Sequence, residues 1–126
     1  MRVAVAQDPE GKTGLIELQA EQLWYIETNK KIKDMVVVHM SQNECYYAPG
    51  TLKFWETALK ASGLLFEKVD RTNVLHLPLV KYMDEYYNTY FEDSRTKDSK
   101  YCTVSVANAK FVRDYLNKNK SKLQAY

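Results

Sequence analysis

Along most of this chain apolar and polar positions alternate in short runs, the period-two pattern of strands. Residues 1–7 and 14–19 carry such runs, and Asp8-Pro9-Glu10-Gly11-Lys12-Thr13 between them is turn chemistry. Leu23-Trp24-Tyr25-Ile26-Glu27 predicts another strand, followed by a polar, basic connector, Thr28–Asp34. Met35-Val36-Val37-Val38-His39-Met40 is the most strand-prone run, and Ser41-Gln42-Asn43 turns it back into Glu44–Ala48. Two stretches keep helical spacing instead. Leu52, Trp55 and Leu59 share one side of a segment that Thr51 can cap and Gly63 can stop. Ala109, Val112, Tyr115 and Leu116 form an apolar stripe over Val106–Asn119, with Ser105 as its cap. Between the helices, Phe66–Leu77 frames the charged, outward-facing turn Asp70-Arg71-Thr72 with apolar residues. Strand-like runs Leu79–Asp84, Tyr86–Phe91 and Lys100–Val104 follow, and Glu92–Ser99 reads as a solvated, mobile hairpin tip. The expected class is mainly β (α+β), with short antiparallel strands and short helices.

Composition narrows this picture. At 126 residues, one domain spanning 1–126 is expected, with a core of about 14–117 and a frayed basic tail, 118–126. A hydrophobic fraction of 45% can fill a core, and ten Tyr against four Gly and three Pro lean towards strands. The 18 basic residues nearly balance the 16 acidic ones, which argues against a uniformly basic, sequence-blind grip on nucleic acid. A local cluster suffices to create a field, and Lys30, Lys31 and Lys33 are the densest one outside the tail. Met1–Ala6 is too short for a signal peptide and no run approaches a membrane span, so a cytoplasmic location is expected. Cys45 and Cys102 then read as reduced, buried thiols.

Several chemistries are disfavoured. Gly11-Lys12-Thr13 invites a phosphate-loop reading, but the Gly required five positions earlier is Ala6, and a strand rather than a helix follows. His39, His76, Cys45 and Cys102 form no close-spaced metal pair, and both histidines read as structural. Nothing marks a general base or an oxyanion hole. The series Tyr82, Tyr86, Tyr87, Tyr90 is most simply packing, with a base-stacking platform as the alternative. No enzyme activity, metal or cofactor is expected.

The stretch Phe66–Leu77 resembles the signature of LytTR DNA-binding domains, output modules of bacterial response regulators, which reads roughly Phe-x-Arg-Val-His-Arg-Ser-Tyr-Val-Val-Asn-Leu. Phe66, Val69, Arg71, Val74 and Leu77 match outright, and Lys68, Thr72 and Leu75 are conservative. Leu23–Glu27 is similar to the family's Ile-x-Tyr-Ile-Glu strand, and Thr51-Leu52-Lys53 with Leu59 to its Thr-Leu-Lys helix. Tyr82-Met83-Asp84 and Thr103–Asn108 answer two later motifs in the correct order. The resemblance covers roughly 14–117 and implies an elongated antiparallel β fold. It also implies recognition of duplex DNA by three loops, Thr28–Asp34, Val69–Asn73 and Ser105–Lys110, entering successive grooves on one face of the DNA. A cytoplasmic transcription regulator is implied, acting as a dimer or pair on repeated half-sites. Response regulators carry a receiver before this module, and little more than Met1–Thr13 precedes the matched stretch; the sequence is read either as an output domain excised from a longer regulator or as a stand-alone member without phosphorylation input.

Each loop residue has two readings. Lys30, Lys31 and Lys33, with Asn29, would hold phosphates, or simply solvate a hairpin loop. Arg71 would chelate a guanine edge or hold a phosphate, or pair with Asp70 or Glu67. Thr72 and Asn73 would donate to phosphates or base edges, or only form the turn. Asn108 could bond an adenine edge, and Lys110 a phosphate, or be an ordinary exposed helix residue. Three positions depart from the family near its contacts: Asp70 replaces His, Asn73 an aromatic, and Ala107 an Arg that often reads a base. An exposed carboxylate facing phosphates costs on the order of ~1 kcal/mol. Two functions follow: a regulator with a different target site, or a protein-interaction module of the same fold that restrains a partner regulator and has lost DNA contact.

Overall fold

A computed structural model describes residues 1–124, with residues 120–124 described by backbone alone. Among the described residues ten strands and two α-helices follow one another in chain order. The strands β1 (Arg2–Ala6), β2 (Leu15–Gln19), β3 (Tyr25–Thr28), β4 (Met35–Ser41) and β5 (Glu44–Pro49) precede α1 (Leu52–Ala61). Then come β6 (Phe66–Asp70), β7 (Asn73–His76), β8 (Tyr82–Met83), β9 (Asn88–Tyr90), β10 (Cys102–Thr103) and α2 (Val106–Gln124). Seven strands form one sheet in the order β2-β1-β5-β4-β3-β7-β6, and three form a second, β10-β9-β8. Every pairing is antiparallel.

The period-two alternation fixes the layers. In β3, Ile26 points into one core and its neighbour Tyr25 into another; in β7, Val74 and Leu75 divide in the same way. The first core joins Val3, Val5, Val36, Val38, Ile26, Phe66 and Val74 of the large sheet to Leu52 and Leu59 of α1. The second joins Tyr25, Val69, Leu75 and Leu77 to Phe91 and Cys102 of the small sheet region and to Ala109 and Val112 of α2. Strands β3, β6 and β7 are thus covered on both faces, and all of β7 is buried although it lies one strand from the sheet edge.

Local chemistry explains the element ends. Thr51 Oγ1 accepts from the Phe54 amide at 3.0 Å, the expected cap of α1. At its other end Gly63, at φ +86°, closes a Schellman turn: Leu64 N–H donates to Leu59 O and Gly63 N–H to Lys60 O. The Asp8 carboxylate accepts from the Lys12 and Thr13 amides at 3.0 and 2.9 Å and from the Thr13 hydroxyl. Chiefly the Thr13 hydroxyl lowers its pKa to about 2. The amides a phosphate would need in that turn therefore serve an internal carboxylate.

Three expectations are corrected. The run Leu79–Asp84 is not one strand: Leu77–Leu79 form a 3-10 turn containing Pro78, and only Tyr82–Met83 pair. Tyr86–Phe91 shortens likewise, because Asp84 Oδ1 takes the Tyr86 and Asn88 amides and Tyr87 sits at φ +66°. The Glu92–Ser99 segment is solvated as expected, residues 92–98 being exposed, and its end is held to the β4–β5 turn. Gln42 donates to Asp98 O and accepts from the Lys100 amide, both at 2.7 Å, and Lys100 Nζ donates to Glu44 O. Cys102 is buried as expected, but Cys45 is exposed. In addition, α2 continues to Gln124 rather than ending near Asn119; residues 125 and 126 of the expected basic tail lie outside the described residues. Among the described residues no helix is long and apolar enough to cross a membrane.

Candidate functional site

The three loops singled out in the sequence meet, and a β-bulge makes them meet. Pairing of β6 with β7 runs in register to Lys68–Val74, then shifts to Asp70–Asn73, leaving Val69 as the extra residue. Its side chain is fully buried, while its carbonyl accepts from the Ser105 amide at 2.9 Å and from Asn108 Nδ2 at 3.2 Å. The bulge thus anchors the loop entering α2. On the other side the Thr28 amide donates to Thr72 O at 3.1 Å. Main-chain bonds consequently run from the Thr28–Asp34 loop through the Val69–Asn73 turn to Ser105.

Within this frame the residues divide into those that build and those that face water. Asn29 builds: its Oδ1 accepts from the Lys31 and Ile32 amides at 2.8 and 3.1 Å, an Asx turn that folds the first loop. Asp34, at φ +57°, closes the loop and accepts from the Gly50 amide through its carbonyl. Lys30, Lys31 and Lys33 are exposed. Asn73 is buried; its Nδ2 donates to Thr103 O at 3.1 Å, and its Oδ1 has no hydrogen-bond partner. Its expected place in a surface turn is therefore corrected: it is a strut between β7 and β10. Asn108 is half-buried and spends its amide on Val69 O and Ser105 Oγ. Ser105 Oγ thus accepts from the Asn108 side chain rather than from a first-turn amide, which corrects its expected role as the cap of α2. Thr72 is exposed, and Lys110 is exposed in an i,i+4 pair with Asp114 at 2.9 Å.

Arg71 has neither of the carboxylate partners the sequence offered it. Asp70 Oδ1 turns back to accept from the Arg71 main-chain amide, and Glu67 binds Lys60 at 2.8 Å. Among the described residues the side chains of Lys30, Lys31, Lys33 and Arg71 form no ion pair. Four cations without an ion-pair partner among the described residues thus lie on two hydrogen-bonded loops, which also carry Asp34 and Asp70. Beside them α2 opens with Val106, 77% exposed, and exposed Ala107. Sequence patterning gave no sign of this apolar end, because Val106 sits one turn before the buried stripe.

The histidines lie away from these loops. His76 is buried, stacks on Phe66 with ring centres 4.2 Å apart, and its Nδ1 donates to Leu23 O at 2.7 Å. Burial lowers its pKa, against the opposing effect of the Leu23 carbonyl. His39 stacks on Tyr25 and meets Glu27 Oε1 at 2.8 Å. No three His, Cys, Asp or Glu side chains cluster as metal ligands among the described residues.

The architecture is that of a solved domain. The chain superposes on the LytTr DNA-binding domain of a putative methyl-accepting/DNA response regulator from Bacillus cereus with a TM-score of 0.64, covering 91% of this chain and 95% of that one. This chain has the LytTR fold. Sequence identity over the LytTR match is 16%, so the likeness is one of fold. No protein-family model matches the chain, and no curated protein sequence matches it significantly. The expected fold class and the family resemblance both stand.

Proposed function

We propose that the chain is a transcription regulator that binds duplex DNA at specific sites through its three linked loops. One observation carries the reading: hydrogen-bonded loops at one edge present Lys30, Lys31, Lys33 and Arg71 with no carboxylate partner among the described residues. In this reading the lysines hold phosphates and set register, and Arg71 reads a guanine edge or a phosphate. Thr72 adds a donor at the turn, and Lys110 can leave its exposed, weak pair with Asp114 for a phosphate. Asn29, Asn73 and Asn108 act as positioning residues that shape the loops. Three loops read little sequence alone, so repeated half-sites bound by two copies fit best. The fold shared with a domain named for DNA binding supports the same reading.

The test is a titration of a duplex, selected by the full chain from a random library, at several salt concentrations. The wild type should show a steep salt dependence. The triple change Lys30→Ala, Lys31→Ala, Lys33→Ala should reduce the log–log slope by about 2 to 3, at roughly 0.9 per phosphate contact. Arg71→Ala should cost about 1–3 kcal/mol and relax preference at one position if it reads a base. Failure to retain any duplex at low salt would sink the proposal, and co-purification with a host regulator would then favour the protein-interaction module.

A further inference from the structure

We propose that Val106, with Ala107 beside it, determines specificity by packing on the 5-methyl groups of thymine in the major groove. The inference rests on the DNA-binding reading above. Val106 is 77% exposed, the most exposed large apolar side chain among the described residues. Its neighbours in the helix, Ala109 and Val112, are buried in the second core, so the fold does not need Val106 to be apolar. The bond from the Ser105 amide to Val69 O holds it beside the turn that bears Arg71.

The donor of the polar alternative in this loop is already engaged. Asn108 commits its amide nitrogen to Val69 O and Ser105 Oγ, so its donor is turned into the protein. What the start of α2 offers outward is therefore a valine, an alanine and, one turn on, Lys110. Lys30, Lys31, Lys33 and Arg71, which form no ion pair among the described residues, outnumber Asp34 and Asp70 on the adjoining loops and favour a polyanionic ligand there. Within a DNA major groove only thymine presents an apolar group, so an apolar reader next to a phosphate grip selects thymine. A target with thymine at the step facing the third loop follows.

Deoxyuracil differs from thymine by that methyl alone. The experiment compares a duplex selected by the full chain with copies in which single thymines are replaced by deoxyuracil. At one or two positions the wild type should bind the deoxyuracil copy about fourfold more weakly, the equivalent of ~0.8 kcal/mol for one buried methyl. Val106→Ser should bind the parent duplex more weakly and lose that discrimination. Its urea midpoint should match the wild type, because the side chain is exposed. Phe111→Ala removes another exposed apolar residue of the same helix and should keep the discrimination in full. Equal binding to thymine and deoxyuracil copies, or a Val106→Ser protein that still discriminates, overturns the inference while DNA binding stands. If no duplex is retained at all, the DNA-binding reading falls and this inference with it; an apolar surface for a protein partner is then the account of Val106.

Discussion

Asp70 and Arg71 place opposite charges on adjacent residues of the turn, and the structure separates their roles. The Asp70 carboxylate accepts from the Arg71 main-chain amide and so shapes the turn, while the guanidinium stays without a carboxylate partner. The negative charge nevertheless stands beside any phosphate that Arg71 approaches. Asp70→Asn keeps an acceptor for the amide and removes the charge. It should bind DNA about fivefold more tightly at low salt, from ~1 kcal/mol of relieved repulsion, with the gain shrinking as salt is added. An affinity no better than wild type in dilute buffer would mean that this carboxylate does not face the DNA. Residue identity made the exposed members legible: lysines in a polar connector and an Arg in a charged turn. It could not show that Asn73 and Asn108 face inward. Their partners, Thr103 O and Val69 O, lie 30 and 39 residues away. Asparagine is equally at home in a turn, at a base edge or on a distant carbonyl, so only the folded chain chooses.

Elements were most legible where one period ran long enough to be read. The valine-rich β4 and the capped α1 fall where alternation and capping put them. The two- and three-residue strands β8 and β9 do not, because Pro78 and the Asp84 turn override apolar runs that look continuous. The bulge at Val69 was equally hidden, since it exists only as a mismatch between two strands. His76 shows how one element is tied to another. Its amide donates to Trp24 O and its ring to Leu23 O, joining the end of β7 to the segment that enters β3. Because burial lowers its pKa in the folded state, the unfolded chain binds the proton more readily. Stability contributed by neutral His76 should therefore be complete above about 6.5, the free-histidine value, and decline as pH falls towards the folded-state value. His76→Phe can keep the stack on Phe66 but leaves the Leu23 carbonyl without its donor. At pH 8 it should be less stable by about 1–3 kcal/mol, and the difference from wild type should narrow on acidification. Urea midpoints of both proteins between pH 8 and pH 5 provide the check; a difference constant with pH would exclude a depressed pKa at His76.

At the scale of the molecule, the loops can act together only if the layers behind them move as one body. The second core joins these layers: Tyr25 and Leu75 of the large sheet, Phe91 beyond β9, and Ala109 and Val112 of α2 share it. Phe91 stacks on both Trp24 and Tyr25, with ring centres 4.8 and 5.8 Å away. The chain's two tryptophans report on different cores. Trp24 packs against the second, whereas Trp55 packs against the first from α1. With Trp24→Phe or Trp55→Phe, fluorescence in urea follows one core at a time. If β3, β6 and β7 weld the layers by lining both cores, Phe91→Ala, at about 3 kcal/mol for a buried phenyl lost, should destabilise both reporters equally. The Trp55 signal should shift by as much as the Trp24 signal, although Phe91 lies in the other core. A Trp55 midpoint unmoved by Phe91→Ala would show that the layer carrying the third loop opens by itself. The third loop would then have to be ordered when DNA binds, and the three loops would not be a preformed surface.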